Sequence, residues 1–117
     1  LRAAGFYERL EASSAALADG FAAAADSAGI AERMTFTRIG SMLCGFFTPG
    51  PVTDYASATA SNTAAYAAYF HAMLEGGVYL APSQYEAMFV SSVHGPAEIE
   101  QTTRAAQAAF AAARELL

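Results

Sequence analysis

Gly77-Val78-Tyr79-Leu80-Ala81-Pro82-Ser83-Gln84-Tyr85-Glu86-Ala87-Met88-Phe89-Val90-Ser91-Ser92 is the stretch that decides the fold, because it interrupts a chain that otherwise favours helix. Alanine supplies 30 of the 117 residues, and alanine loses no side-chain entropy in a helix. Here apolar and aromatic residues instead flank a turn, Ala81-Pro82-Ser83-Gln84. The pattern predicts a short strand at Val78-Tyr79-Leu80 and another at Ala87–Ser91. Gly76-Gly77 stops the helix before it, and Gly95-Pro96 starts one after it, with proline at the first helical position where its missing N–H costs nothing. One carboxylate, Glu86, opens the second apolar run. A charge at the mouth of a buried strand is costly unless it has a partner or a role.

Outward from this block the periodicities are helical. Leu10, Ser14, Leu17, Phe21, Ala24 and Ala28 step by three and four, one face of a 3.6-residue period, and Gly29 suits a left-handed cap. Gly20 inside that helix costs about 1 kcal/mol against alanine. Met34–Ile39 and Met42–Phe47 read as an antiparallel hairpin across Gly40-Ser41, closed by Thr48-Pro49-Gly50-Pro51. Residues 49–60 read as a loop. Tyr66, Tyr69, Phe70, Met73 and Leu74 mark a second helix, and Ile99, Ala106, Phe110, Ala113 and Leu117 a third. Glu98 and Glu100 lie near the start of that last helix and Arg114 near its end, as the helix dipole favours. The expected class is α+β, one domain over 1–117: a small, mainly antiparallel sheet of about three strands covered by three helices.

Composition narrows the chemistry. The net charge is −5 with no basic cluster, which argues against nucleic acid as a partner. All six basic residues are arginines and the chain has no lysine, so an amine nucleophile must come from elsewhere. A single cysteine, Cys44, excludes an internal disulfide and fits a reducing, cytoplasmic setting. No apolar run approaches the ~18 residues of a membrane span. The opening Leu1-Arg2-Ala3-Ala4-Gly5 has no starting methionine and no signal-peptide pattern, and is expected to belong to a longer chain.

The residues themselves leave alternatives open. Glu86 reads either as a strand-end carboxylate facing solvent or an arginine, or as a charge aimed at a ligand. Ser83 and Gln84 read either as turn residues or as hydroxyl and amide donors to a substrate. His71 and His94 have no second ligand at metal spacing, so no metal site is expected. Cys44 reads as an inert core thiol. No nucleophile motif is present, so no catalytic residue is assigned in this chain.

The block Gly77–Ala87 closely resembles the C-terminal signature of the glutamate-1-semialdehyde 2,1-aminomutase family. Gly5-Phe6-Tyr7-Glu8-Arg9-Leu10, Arg38-Ile39-Gly40-Ser41-Met42, Phe46-Phe47-Thr48, Tyr69-Phe70-His71-Ala72-Met73-Leu74 and Val90-Ser91-Ser92-Val93-His94 followed by Glu98-Ile99 extend the resemblance over the whole chain. It implies the C-terminal small domain of a fold-type I enzyme dependent on pyridoxal phosphate. Such an enzyme converts glutamate 1-semialdehyde to 5-aminolevulinate for porphyrin synthesis, as a cytoplasmic homodimer. The lysine that carries the cofactor belongs to the large domain. The resemblance therefore implies that this chain alone is inactive and does not bind the cofactor. Its partners would be its own large domain, a second subunit and a small-molecule substrate, with no membrane and no nucleic acid. Glu86 matches the family glutamate that faces the active site where related aminotransferases place a carboxylate-binding arginine, with Ser83 and Gln84 beside it as substrate contacts. Met88, Tyr85 and Gly95-Pro96 depart from the pattern. Alternatives are the small domain of a related pyridoxal-phosphate transaminase acting on β-amino acids, and a stand-alone α+β binding module.

Overall fold

The structure is a computed structural model describing residues 1–117. Helix α1 (Phe6–Ser27) follows the predicted face: Ser14, Phe21, Ala24 and Ala28 are buried, Leu10 and Leu17 half-buried. It ends in a Schellman motif. Gly29 takes φ +71°, its N–H donates to the Asp26 carbonyl at 2.9 Å, and the Ile30 N–H donates to the Ala25 carbonyl at 3.0 Å. After a 3₁₀ turn at Ala31–Arg33 come β1 (Thr35–Ile39) and β2 (Met42–Phe46). They pair antiparallel with Thr35 opposite Phe46 and Ile39 opposite Met42. The two-residue loop is Gly40-Ser41, and Gly40 at φ +55° supplies the positive φ that so tight a hairpin needs.

The stretch read as loop at 49–60 contains a short helix, α2 (Tyr55–Thr59). Asp54 caps it reciprocally: the Ser57 N–H donates to Asp54 Oδ1 at 2.8 Å, and the Asp54 N–H donates to Ser57 Oγ at 3.1 Å. The acid-to-serine spacing was the available signal. No period accompanies it, because α2 has no buried face. Helix α3 (Thr63–Glu75) starts at Asn62, whose side chain accepts from the Ala65 N–H at 2.9 Å. Ala65, Tyr66, Tyr69 and Met73 are buried, whereas Leu74, expected inside, is exposed.

A second Schellman motif closes α3. Gly77 N–H donates to the Leu74 carbonyl and Val78 N–H to the Met73 carbonyl at 2.9 Å. That cap is one reason for the main departure from expectation. Val78-Tyr79-Leu80 is not a strand: its first donor completes the helix cap and no strand pairs with it. The other expected strand shrinks from Ala87–Ser91 to β3, Met88–Phe89. It pairs antiparallel with β2, Met42 opposite Phe89 and Leu43 opposite Met88, and the Val90 N–H adds a bond to the Ser41 carbonyl at 2.9 Å. The sheet order is β1-β2-β3. Helix α4 (Pro96–Arg114) completes the chain. Glu98 reaches back to the Gly95 N–H at 2.9 Å.

Helix α4 lies against both α1 and α3. Its buried alanines, Ala105, Ala106, Ala109 and Ala113, permit that close approach, and Ile99 and Leu117 are only half-buried. At the α1–α4 crossing a Cβ on Gly20 would collide with the Thr103 side chain, so the propensity cost of that glycine is offset by packing. Phe110 of α4 is the hub of the core. Its ring centre lies 6.4 Å from that of Phe21, 6.1 Å from Phe36, 6.3 Å from Phe47 and 4.9 Å from Tyr69. One sheet face, carrying Phe36 and Leu43, thus turns toward the helices. The opposite face holds a cross-strand row, Ile39, Met42 and Phe89, exposed by 77%, 42% and 66%. The α+β class expected from the sequence is the class observed, with the added α2 and a shorter third strand.

Candidate functional site

The turn from Ala81 to Glu86 is held from three sides. From α3, the Tyr66 hydroxyl donates to the Ala81 carbonyl at 2.6 Å. From the residue after β2, the Phe47 N–H donates to Gln84 Oε1 at 3.2 Å. From the middle of β2, the Cys44 thiol lies 3.4 Å from the Gln84 carbonyl and 3.6 Å from the Glu86 carbonyl. Within the turn, Ser83 Oγ accepts from the Tyr85 N–H at 3.2 Å, and the Glu86 N–H donates to the Ser83 carbonyl at 3.3 Å. A sequence with Pro82 at its second position cannot donate there, so outside groups complete its hydrogen bonding.

Burial sets the protonation of the hydroxyl and thiol groups around the turn. Burial pushes the Tyr66 hydroxyl up to about 12, with smaller upward contributions from neighbouring Cys44 and Glu86. It therefore stays a neutral donor at physiological pH. Burial likewise raises the Tyr69 hydroxyl and, against a hydrogen bond from the Gly45 backbone, the Cys44 thiol. A thiol whose ionised form is disfavoured by burial is a poor nucleophile, but Cys44 is half-buried and lies outside the core in which the sequence reading placed it.

The three residues singled out in the sequence do not face one space. Gln84 is 3% exposed, so its amide is a structural pin on Phe47. Ser83 is half-buried and lines a shallow cleft of about 310 Å³ with Thr63, Phe70 and His71 of α3. Glu86 is exposed and lines a much smaller cavity with Phe36, Tyr69 and Met88. Gln84 borders both. The structure thus gathers Gln84 and Glu86 and sets Ser83 toward α3.

Glu86 has no ion-pair partner. The three salt bridges are Arg38–Glu11, Arg104–Glu100 and Arg114–Glu115, all away from the turn. The first holds the Glu11 carboxyl below its ordinary range through the hydrogen bond from Arg38. His94 accepts from the Ser91 N–H at 2.9 Å and so caps its own turn, and His71 lies exposed on α3. No three His, Cys, Asp or Glu side chains converge as a metal site would require. Tyr66 is the residue that sequence reasoning missed. It fell on the buried stripe of α3 and was read as core, and nothing in the period shows that its hydroxyl holds the turn.

The turn thus carries an exposed, unpaired carboxylate at Glu86, held in place by Tyr66, Phe47 and Cys44. No family model matches the chain. Comparison with curated proteins is specific, however. The chain is 56% identical over 115 residues to glutamate-1-semialdehyde 2,1-aminomutase of Pelotomaculum thermopropionicum, covering 98% of this chain and 26% of that protein. It is 50% identical over 106 residues to the enzyme of the same name from Desulforudis audaxviator, covering 91% and 24%. For that of Natranaerobius thermophilus the figures are 47% over 116 residues, covering 99% and 26%. The chain belongs to the glutamate-1-semialdehyde 2,1-aminomutase family, and spans about a quarter of the length of the curated relatives it matches.

Proposed function

We propose that this chain serves as the C-terminal small domain of a pyridoxal-phosphate-dependent enzyme that converts glutamate 1-semialdehyde to 5-aminolevulinate, with Glu86 selecting the substrate. The observation that carries this reading is the exposed, unpaired Glu86 on a turn held by Tyr66, Gln84 and Cys44, in a chain 47–56% identical along nearly its whole length to proteins of that name. Electrostatics give the glutamate its role. An α-amino acid needs a cation to hold its α-carboxylate, and an anion at that position repels it. A substrate with an aldehyde at that end carries no such charge, and ammonium groups are attracted. Specificity of this kind rests on a repulsive element.

The residues present do not fit the cofactor by themselves. There is no lysine, and no arginine lines either cavity beside the turn. Pyridoxal phosphate would supply the electron sink for moving the amino group, bound elsewhere in the enzyme. This chain holds the turn and directs Glu86. The exposed row Ile39, Met42 and Phe89 is the sheet face it offers to its own large domain, and the enzyme works as a cytoplasmic homodimer.

Two measurements test the assignment. Titrating the chain with pyridoxal phosphate should leave the cofactor's absorption spectrum that of the free compound, and a stoichiometric shift at one site would overturn the division of labour. The enzyme that joins this chain to a large domain should form 5-aminolevulinate from glutamate 1-semialdehyde. Turnover of β-amino acids in place of that substrate would contradict the proposal and favour a transaminase.

A further inference from the structure

Residues 78–81 and 87–90 are the two arms of the Pro82 turn, and their main chains do not pair with each other. Along the first arm burial alternates as in a strand, with Val78 and Leu80 half-buried and Tyr79 exposed. From Val78 to Leu80, however, only the Val78 N–H has a main-chain partner, the Met73 carbonyl. In the second arm, β3 bonds to β2 on one side only. The bond from the Val90 N–H to the Ser41 carbonyl sets the parity of that ladder. Met88 then exchanges bonds with Leu43, and the antiparallel alternation turns the Phe89 N–H and carbonyl away from β2. Each arm thus carries main-chain groups that the chain itself leaves unpaired. Both arms line one cavity of about 280 Å³, to which α1 adds Leu17 and Phe21 and α4 adds Ile99. Only three of its fourteen lining residues, His94, Glu98 and Thr102, are polar.

We infer that this cavity receives an extended segment of the enzyme's own polypeptide from outside residues 1–117, bonded to Phe89 on one side and to Tyr79 or Leu80 on the other. An unpaired edge is a template for such strand addition. The occupant needs two free edges, one for each arm. No strand of a second copy has them, since β1 and β3 each give one edge to β2, and β2 gives both. A lone segment of the same enzyme does have them, and the chain covers only 24–26% of its curated relatives. The apolar lining calls for apolar side chains on the inward face of that segment, every second residue. The strand that the sequence predicts at Val78-Tyr79-Leu80 then forms in the assembled enzyme. This contact is main chain to main chain at the sheet edge, and is separate from packing against Ile39, Met42 and Phe89. It rests on the chain being one domain of a longer enzyme, and not on the role of Glu86.

Amide exchange in the enzyme that joins this chain to its large domain is the test. The Phe89 amide, and one of the Tyr79 and Leu80 amides, should exchange within about ten-fold of the Met88 amide, which is bonded inside the sheet. Unprotected exchange at all three overturns the inference. Phe89→Pro removes the outward N–H and spares the bonds to β2, and Phe89→Ala controls for the lost ring. Against the alanine variant, the proline variant should speed exchange at Tyr79 or Leu80 roughly five-fold, the size of one lost hydrogen bond. Equal rates in the two variants would also overturn it. If Phe89→Pro does not fold, a crystal structure of the wild-type enzyme decides. Main chain from outside residues 1–117 bonded to both arms is the expected result. Side chains alone in that cavity, or a strand of the other subunit, contradict it. Protected amides in an enzyme that turns over β-amino acids would remove the substrate assignment alone. Unprotected amides in an enzyme that forms 5-aminolevulinate would remove this inference alone.

Discussion

Tyr66 shows how one hydroxyl converts a core residue into part of a site. Its ring packs with Phe47 and Tyr69, and its oxygen holds the Ala81 carbonyl. Replacing it by phenylalanine keeps the ring and leaves that carbonyl without its donor. Tyr66→Phe should therefore lower stability by about 1 kcal/mol, measured as a fall in the urea midpoint with unchanged slope. It should also speed amide exchange at Glu86, and a variant with wild-type exchange there would show that the turn holds itself. Glu86 was legible as an anomaly, a charge where an apolar run begins. Its lack of a partner was not, because the pattern cannot say where the six arginines go. The structure spends Arg38, Arg104 and Arg114 on other carboxylates.

Elements with a strong period were legible and elements without one were not. The faces of α1 and α4 follow from three- and four-residue spacing because burial against a neighbouring helix creates that spacing. The hairpin followed from Gly40-Ser41 between two apolar runs. Helix α2 leaves no periodic trace because it buries nothing, and the apolar run Val78-Tyr79-Leu80 forms no strand because its leading donor is taken by the cap of α3. The cap of α2 is testable by pH. Backbone and side-chain hydrogen bonds from Ser57 hold the Asp54 carboxyl below its ordinary value. A depressed folded-state value stabilises above the unfolded aspartate range near ~3.9 and is lost as the pH falls through the folded value. Amide protection at 55–59 should accordingly drop on acidification in that range, before the rest of the chain unfolds. Asp54→Ala should show the same loss already at neutral pH. Equal protection in the two proteins would contradict the cap.

On the scale of the whole molecule, an aromatic hub on Phe110 ties three helices to one sheet face, and the other face keeps Ile39, Met42 and Phe89 exposed. The hub predicts the alkaline limit of stability. The Tyr66 hydroxyl is raised to about 12 from an unfolded value near ~10. Its contribution is complete below the unfolded value and is lost as the pH rises toward the folded one. Tyr69, raised in the same direction, adds to the loss. Melting temperature should hold up to about pH 10 and then fall steeply, with Tyr66→Phe showing a shallower fall. An equal fall in both would place the alkaline sensitivity elsewhere.

Under the proposed function, Glu86 sets substrate choice by charge. Its most direct measurement compares wild type and Glu86→Arg in the enzyme that joins this chain to its large domain, assaying 5-aminolevulinate formation beside half-reactions with ordinary α-amino acids. Reversing the charge should lower kcat/KM for glutamate 1-semialdehyde by at least ~10-fold and raise that for an α-amino acid by a similar factor, since apposed like charges cost several kcal/mol. Equal losses for both substrates, or no change in either, would contradict the account.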